Sequence, residues 1–234
     1  MPAAPATVEL LAWGEVTVKG RMPYASNATF LVELHLSTRT GLAVYKPGRG
    51  ERPLWDFPPR LFRREVAAYL LSEALGWGLV PLTLERDGPF GEGSLQLFVE
   101  ADFEQHYFTL HEDAKHHDAL RRICAFDLVA NNADRKSGHC LLGPDGRIYA
   151  VDNGLAFHAE PKLRTVIWEF GGEPVPDAVL ADVARLVETG LPDELAALLE
   201  PAERKALLRR ARRVVADRQF PADRSGHRYP WPLV

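Results

Sequence analysis

The sequence predicts an α+β protein with two lobes, a strand-rich N-terminal lobe and a helical C-terminal lobe. Two observations support this prediction. Runs of β-branched and aromatic residues, separated by turn residues, occupy much of the first hundred positions. Beyond about residue 101, the apolar residues recur mostly at helical spacing. Because strands followed by helices are typical of α+β folds, we assign residues 1–100 to one lobe and 101–234 to the other.

In the N-terminal half, the pattern predicts three strands, an irregular stretch, one helix and a hairpin. In chain order these elements are strands 10–18, 29–37 and 41–46, the irregular stretch 47–59, helix 61–75, and hairpin strands 80–85 and 94–100. Pro58 and Pro59 precede the helix and Gly76 follows it, as start and stop signals commonly do. The glycines of 86–93 lead into a strand, so they fit a hairpin turn better than a phosphate-binding loop, which would open a helix.

The C-terminal half is predicted to be mainly helical, with one short hairpin. The predicted helices are 118–130, 177–189, 193–199 and 203–217, and the hairpin strands are 140–142 and 148–151. Pro144-Asp145-Gly146 supplies the turn of that hairpin.

Composition narrows the class of protein. The chain has 234 residues, of which 46% are hydrophobic and 26% charged, and this is globular composition. A net charge of −4 gives no reason to expect nucleic acid as a partner. Cys124 and Cys140 are too few for a disulfide scaffold, so we expect both to be reduced and buried. With no signal-peptide pattern and no apolar run of membrane-spanning length, we expect a cytoplasmic protein with at most peripheral membrane contact.

Lys46 and Glu65 are the first candidate site residues. Lys46 ends an apolar strand, where its ammonium can reach into a cleft and hold phosphate oxygens. Glu65 lies nineteen positions later, in the first turns of the predicted helix, where its carboxylate can pair with the lysine. The alternatives are an ordinary exposed lysine and, since Arg63 and Arg64 adjoin Glu65, a solvated helical charge run.

The segment 131–139 is the second candidate region. It follows an apolar helix and precedes a short strand, and its sequence is Asn-Asn-Ala-Asp-Arg-Lys-Ser-Gly-His. Polar loops on a rigid scaffold are where catalytic residues concentrate. Asp134 can accept a proton from an attacking hydroxyl or orient it, and His139 can serve as a metal ligand or a polar anchor.

Asp152 completes the set, at the end of the second hairpin strand. A carboxylate there is well placed to hold Mg²⁺, which takes one or two protein carboxylates together with substrate phosphates. Gly154 lets the chain turn away from the site. A lysine, a helix carboxylate, a loop carboxylate and a strand-end carboxylate, in this order, are the parts that phosphoryl transfer needs. The chain has no P-loop, zincin or α/β-hydrolase motif.

These motifs give the chain a recognisable resemblance. It resembles the atypical kinases, the group that contains the phosphatidylinositol 3- and 4-kinases and the HipA-type protein kinases. More closely, it is similar to an actinobacterial family described as phosphatidylinositol 3-/4-kinase-like. The residues that carry the resemblance are Tyr45-Lys46-Pro47, 50–58, 131–139 and 151–154.

The resemblance implies roles for individual residues. Lys46 would contact the α- and β-phosphates of ATP, and Asp134-Arg135 would match the Asp-Arg pair of the catalytic loop. Asp152 would be the principal Mg²⁺ ligand. The turn at Ser26 and Asn27 would cover the phosphates. The hinge between the lobes would include Phe98, Val99 and Glu100, whose backbone would read adenine.

One position departs from that group. His139 stands where those kinases place a second metal-binding asparagine, and imidazole prefers softer metals than Mg²⁺, such as Mn²⁺. We therefore expect an ATP- and Mg²⁺-dependent phosphotransferase with an unknown hydroxyl acceptor: a lipid, a small metabolite or a protein. The alternatives are a nucleotide-binding pseudokinase that regulates a partner, and an AMP transferase on the same fold.

Two further features are interpreted as structural. The histidines at 106, 111, 116 and 117 lack the spacing and cysteine partners of a metal site. The basic helix 203–217 has apolar residues on one face, which indicates packing against the protein with a solvated basic face. The alternative for this helix is contact with anionic lipid or a partner.

Overall fold

The structure is a computed structural model that describes residues 4–23, 27–223 and 225–233. Its helices are α1 Pro5–Trp13, α2 Phe62–Leu75, α3 Tyr107–His111, α4 His117–Ala130, α5 Asp177–Thr189, α6 Asp193–Ala197 and α7 Pro201–Asp217. Its strands are β1 Glu15–Arg21, β2 Phe30–Leu36, β3 Arg39–Pro47, β4 Thr83–Gly88, β5 Gly91–Leu97, β6 Cys140–Leu142 and β7 Ile148–Ala150. The strands of the N-terminal lobe therefore precede a mainly helical C-terminal lobe, as the sequence predicts.

Five antiparallel strands form the sheet of the N-terminal lobe, in the order β1-β2-β3-β5-β4. Strand β3 is central, and its Lys46 lies opposite Ser94 of β5. Gly93 permits this pairing, because a Cβ at Gly93 would lie 2.4 Å from the carbonyl oxygen of Lys46. The sheet thereby fixes the backbone at the position from which the Lys46 side chain projects.

The first predicted strand is wrong over half of its length. Residues 5–13 form helix α1, and only the part from Glu15 onwards is a strand. Pro5 occupies the start of the helix, where its missing N–H is not needed. Leu10 and Leu11 are both buried against the sheet, together with Val32, Leu34 and Leu95 in one apolar cluster. Two adjacent buried leucines suit a helix that lies on the sheet, whereas a strand would point them to opposite faces.

The predicted hairpin after α2 is confirmed, but both strands lie three residues closer to the turn than predicted, and the turn is tighter. Strands β4 and β5 continue until Gly88 faces Gly91, so only Pro89 and Phe90 connect them. The glycines that suggested a long turn mostly lie within the strands. The aromatic rings of Phe30 and Tyr45 pack around Phe90 and shield this end of the sheet.

Helix α2 joins the two lobes. Ala67, Leu71 and Leu75 belong to the same apolar core as the helices of the C-terminal lobe. Gly76 ends the helix with a left-handed conformation, φ 73°, for which glycine is the usual residue. Because one face of α2 is built into the C-terminal core, the helix is fixed against the lobe that carries the candidate loops.

The core of the C-terminal lobe lies mainly between α4, α5 and α7. Hairpin β6–β7 packs beside it. Cys124 and Cys140 are free thiols buried in this core, as expected. In the described part of the chain, no helix combines the length and apolar character needed to span a bilayer.

Candidate active site

Three of the predicted residues meet at the junction of the lobes. The Lys46 ammonium donates to Oε1 of Glu65 and, at 2.9 Å, to Oδ1 of Asp152. The other oxygen of Glu65, Oε2, accepts the backbone N–H of Asn153 at 2.9 Å. Gly154 packs closely on this carboxylate, since a Cβ there would lie 3.3 Å from Oε1 of Glu65, a tight contact. Strand β3, helix α2 and the loop after β7 thus contribute one charged group each to a single cluster.

The charges of this cluster reinforce one another. Burial acts to lower the pKa of the Lys46 ammonium, but Asp152 and Glu65 outweigh burial, and the net effect raises the pKa. The proximity of Lys46 in turn lowers the pKa of Asp152 well below its usual range. The cluster therefore holds an ammonium and an ionised Asp152 at neutral pH. The Asp152 side chain is 56% exposed, whereas Glu65 is 3% exposed, so Asp152 is the carboxylate that faces solvent.

Asp152 has a left-handed backbone conformation, with φ 56°. This conformation is uncommon for residues other than glycine, and aspartate and asparagine tolerate it better than most. It costs on the order of 1 kcal/mol and persists where the surroundings hold it. Here the next residue, Asn153, is fully buried and bonded on both sides, to Glu65 and to Arg135.

Asp134 lies in the loop after α4, with its side chain 29% exposed. Its backbone N–H donates to the amide oxygen of Asn132, which is itself fully buried. Lys136 lies 3.5 Å from the carboxylate. Burial raises the pKa of Asp134 to about 6, with Lys136 acting in the opposite direction. A carboxylate with such a pKa is well matched to accepting a proton near neutral pH.

Arg135 is placed differently from the role that the resemblance implies. Its side chain is fully buried, and the guanidinium bonds the carboxylate of Asp127, the carbonyl of Val151 and the amide oxygen of Asn153. All of these are groups of the C-terminal lobe. Arg135 is therefore a positioning residue that joins two loops, and it does not present its charge to a substrate.

His139 lies beside Asp152, with Nε2 3.5 Å from Oδ2 of the carboxylate. Burial lowers the pKa of His139 to about 4, so the ring is neutral at pH 7. Because Nδ1 accepts the N–H of Lys136, the single ring proton is on Nε2 and points towards Asp152. This is the arrangement of a polar anchor, the second of the two roles considered for His139, and not that of a metal ligand.

A divalent metal would depend mainly on Asp152. In residues 4–23, 27–223 and 225–233, no group of three or more His, Cys, Asp or Glu side chains is arranged to hold a metal ion. Mg²⁺ does not need such a group, because it commonly takes one or two carboxylates and completes its shell with phosphate oxygens and water. The exposed, ionised Asp152 fits that manner of binding.

The predicted phosphate-covering turn is only partly described. Ser26 lies outside the described residues. Asn27 is described, and its amide oxygen accepts the N–H of Arg52 at 2.9 Å, while the N–H of Ala28 donates to the carbonyl of Gly50. These bonds tie the turn between β1 and β2 to the segment that follows β3, the strand of Lys46.

The predicted hinge follows β5 directly. The N–H of Phe98 donates to the carbonyl of Leu42 at 3.0 Å, so this amide is already used within the sheet. Phe98, Val99 and Glu100 line a groove of about 400 Å³, whose other walls are the end of α2, residues 78–82 and the β6–β7 turn. None of the residues that line this groove is Lys46, Glu65 or Asp152, so the groove is separate from the charged cluster.

Sequence reasoning missed two buried groups beside the site. A solvated charge run is the alternative that the sequence leaves open around Glu65, yet Arg64 is 5% exposed and bonds Glu203 of α7. Asn131 uses its amide to fix residues 158–162, through the carbonyls of His158 and Glu160 and the N–H of Lys162. No local signal marks Arg64 as buried, because its partner is 139 positions away. The double asparagine that starts the loop was a usable signal for Asn131.

The structure shows packing contacts for both features interpreted as structural. The rings of His111 and His117 stack at 4.8 Å between centroids and pack against Phe170. Helix α7 buries Leu207 and Ala211 in the C-terminal core, as its apolar face predicts.

Comparison with solved structures identifies the fold. A hydra Fam20 structure with sugar has a TM-score of 0.59 at 12% identity and covers 93% of this chain and 90% of that chain. The Golgi casein kinase with Mn/ADP bound has a TM-score of 0.57 at 14% identity, covering 97% and 80%. The Helicobacter pylori proinflammatory kinase CtkA has a TM-score of 0.53 at 10% identity, covering 89% and 93%. The expected two-lobed, protein-kinase-like α+β fold is confirmed, and at these identities the likeness shows the fold alone.

Sequence comparison identifies a relative. No protein-family model matches the chain. Protein Rv2133c of Mycobacterium tuberculosis (strain ATCC 25618 / H37Rv) is 43% identical over an alignment of 261 residues. The alignment covers 95% of this chain and 94% of the relative. Identity of this size over nearly the whole of both chains shows shared family membership. The chain therefore belongs to the same family as Protein Rv2133c.

Proposed function

We propose that this protein is an ATP- and Mg²⁺-dependent phosphotransferase that transfers the γ-phosphoryl group to a hydroxyl acceptor. The observation that carries the proposal is the cluster of Lys46, Glu65 and Asp152, in which three elements bring a partly buried, paired ammonium next to an exposed carboxylate. The fold, shared with solved kinases, supports the same conclusion. Residues 1–100 and 101–234 would act as the two halves of the site.

In this mechanism each side chain has one task. Lys46 holds phosphate oxygens, and Glu65 keeps Lys46 oriented towards them. Asp134 accepts the proton of the acceptor hydroxyl as its oxygen attacks the γ-phosphorus, while the bond from that phosphorus to the β,γ-bridging oxygen breaks and ADP leaves. Phosphoryl transfer needs positioning and charge stabilisation more than covalent chemistry. Lys46, Asp134 and Asp152 supply these functions.

Asp152 would hold the divalent cation, which neutralises charge on the transferring phosphate oxygens. The donor is a hard carboxylate oxygen, which suits Mg²⁺ and Mn²⁺ alike. One solved structure with this fold contains Mn and ADP, which is consistent with either cation. Arg135 would keep Asp134 and Asp152 at a fixed separation without touching the substrate.

A second candidate function, a nucleotide-binding pseudokinase, rests on His139. The neutral ring directs its N–H towards Asp152, where the resemblance implies a second metal ligand. One carboxylate at the metal would support nucleotide binding more readily than turnover. AMP transfer on the same fold is the third possibility, and the position of the transferred label separates it from phosphoryl transfer.

The acceptor class is the least constrained part of the proposal. The resemblance to phosphatidylinositol kinases favours a lipid hydroxyl, whereas the sugar in the hydra Fam20 structure favours a saccharide and the name of the Golgi casein kinase favours a protein side chain. We therefore propose to assay lipid, small-metabolite and protein acceptors in parallel.

The test is nucleotide binding and turnover on the purified protein. Thermal shift with ATP is measured with and without Mg²⁺ or Mn²⁺, for the wild type, Asp152→Ala and the control Asp118→Asn, whose carboxylate is exposed on α4. ATP labelled on the α- or the γ-phosphate is supplied to the same samples. A metal-dependent shift lost only in Asp152→Ala, with transfer of the γ-label, supports the kinase. Transfer of the α-label supports AMP transfer, and a shift without turnover supports the pseudokinase. No shift with ATP under any condition overturns the proposal.

A further inference from the structure

Arg64 is a buried charge with two partners in the C-terminal lobe. It lies on α2 next to Glu65 and is 5% exposed. One terminal nitrogen donates to Oε1 of Glu203, and the other donates to the carbonyl of Ala156. The guanidinium also lies 5.4 Å from the centre of the Phe57 ring. An arginine cannot neutralise itself by losing its proton, so this charge depends on Glu203.

Glu203 is held in place by its own helix. It is 7% exposed and occupies the third position of α7, where Oε2 accepts the N–H of Glu200 at 3.0 Å. This bond is half of a capping box, which fixes the carboxylate at the start of the helix. Helix α7 is packed into the C-terminal core through Leu207 and Ala211. Glu203 therefore cannot follow α2 if that helix moves away.

Arg64 and Glu65, which are neighbours on α2, both form hydrogen bonds to the backbone of the same segment. Glu65 accepts the N–H of Asn153, and Arg64 donates to the carbonyl of Ala156, three residues further on. Both bonds end on the segment that follows Asp152. Moving α2 outwards would break the bonds to Lys46, Asn153 and Ala156 together. It would also separate the buried charges of Arg64 and Glu203, which is strongly unfavourable.

We propose that Arg64 and Glu203 are positioning residues whose ion pair fastens α2 to α7 and thereby holds Glu65 on Lys46 and Asn153 before any nucleotide binds. The C-terminal helix thus braces the candidate site from outside. The link to catalysis rests on the proposed function, since it requires Lys46 to be the phosphate-binding lysine. The claim that the ion pair holds α2 in place does not rest on the proposed function, because it concerns only the position of this helix.

An ion pair that only stabilises the fold and one that also holds α2 in position (a brace) should respond differently to substitution. Replacing a buried ion pair by apolar side chains of similar volume is often neutral for stability. The double variant Arg64→Met/Glu203→Met therefore separates the two roles. If the pair only stabilises, the folded variant keeps Glu65 bonded to Asn153. If the pair braces α2, the variant folds but the Asn153 amide loses its acceptor more often.

The experiment measures hydrogen exchange of the Asn153 amide by NMR in the nucleotide-free protein. We expect exchange about tenfold faster or more in the double variant, as for a local opening made easier while the global fold persists. The single variant Glu203→Gln, which retains the Arg64 bond to Ala156, should show a smaller acceleration. The control Val214→Ala lies on the same helix eleven positions beyond Glu203 and should leave Asn153 protected as in the wild type.

The outcomes distinguish this proposal from the kinase proposal. The proposal is overturned if the Asn153 amide exchanges at the wild-type rate in a folded double variant. It is also overturned if Val214→Ala accelerates this exchange equally. If the double variant does not fold, Glu203→Gln decides by the same measurement. If Asn153 exchange is accelerated in the double variant but the wild type does not bind ATP, the positioning role of Arg64 and Glu203 stands and the kinase proposal is rejected. If the wild type turns over ATP, the double variant should in addition raise KM for ATP by about tenfold, since a mobile Glu65 no longer orients Lys46.

Discussion

The guanidinium of Arg135 donates a 2.6 Å hydrogen bond to the amide oxygen of Asn153, and this bond joins the loop of Asp134 to the loop of Asp152. The same guanidinium bonds Asp127 on helix α4 and the carbonyl of Val151. The two candidate carboxylates are each one residue away from this pair. Their separation is therefore set by a buried, fully engaged arginine.

The first prediction concerns Arg135→Lys. A lysine keeps the charge but cannot bond Asp127, Val151 and Asn153 together, because its ammonium lacks the planar fork of the guanidinium. We expect the free energy of unfolding to fall by about 3 kcal/mol, since part of a buried charge network is left without partners. Urea denaturation measures the change. The control is Arg213→Lys, on an exposed ion pair with Asp217 whose side chains are 81% and 53% exposed. Equal stability of Arg135→Lys and the control would contradict the positioning role.

The second prediction concerns Lys46→Met. Removing the ammonium leaves Glu65 and Asp152 without their shared partner, and Glu65 is buried. We expect thermal stability to fall, and ATP affinity to fall by about tenfold or more, because the phosphate oxygens lose their point charge. Calorimetric titration with ATP and Mg²⁺ measures the affinity. Lys19→Met is the matched control, since Lys19 pairs with Glu33 on the same sheet with its side chain 48% exposed. Comparable losses in both variants would show that Lys46 has no special place in the site.

Much of this arrangement could be predicted because its signals are local. Apolar periodicity defined α2, α4 and α7, and loop residues after α4 and β7 marked Asp134 and Asp152. Helix α1 was missed, because a short apolar run with Leu10 and Leu11 has no period that separates helix from strand.

Contacts between distant parts of the chain could not be predicted. Arg64 looks identical in sequence whether it is solvated or buried, and only a partner 139 positions away decides which. The resemblance places Arg135 in the Asp-Arg pair of the catalytic loop, yet its backbone bonds the carbonyl of Arg164 and the N–H of Val166, and its side chain is fully buried. Local propensity carries no information about such pairings.

The third prediction concerns the pH dependence of Asp134. Burial raises its pKa to about 6 in the folded protein, whereas an unfolded aspartate titrates near 4, as in model peptides. The stability contributed by this group is therefore present below about pH 4 and is lost as the pH rises through about 6. Asp134→Asn removes the penalty for an ionised carboxylate. We expect this variant to be more stable than the wild type at pH 8, by about 1 kcal/mol after allowance for its partial exposure.

Two measurements check this prediction. Urea denaturation at pH 8 and pH 4 should show the stability gain of Asp134→Asn shrinking towards the lower pH. Phosphotransfer by the wild type should decline as the pH falls through about 6, because the protonated carboxyl cannot accept the hydroxyl proton. A variant that is more stable but inactive would show that Asp134 lowers stability in exchange for activity. A gain that is the same at both pH values would contradict the raised pKa.

The last prediction concerns His139→Asn. The neutral imidazole occupies the space beside Oδ2 of Asp152 with its Nε2–H directed at the carboxylate. Asparagine is smaller and offers an amide oxygen, a hard donor that Mg²⁺ accepts more readily than imidazole. We expect the variant to reach half-maximal ATP turnover at a Mg²⁺ concentration about tenfold lower than the wild type, a coupling of about 1.4 kcal/mol. If the wild type binds ATP but turns it over slowly, His139→Asn should turn ATP over faster. His117→Asn, which replaces a histidine stacked on His111 away from the charged cluster, is the control. If the metal dependence of His139→Asn matches that of the wild type, His139 does not limit metal binding, and the pseudokinase alternative loses the observation that supports it.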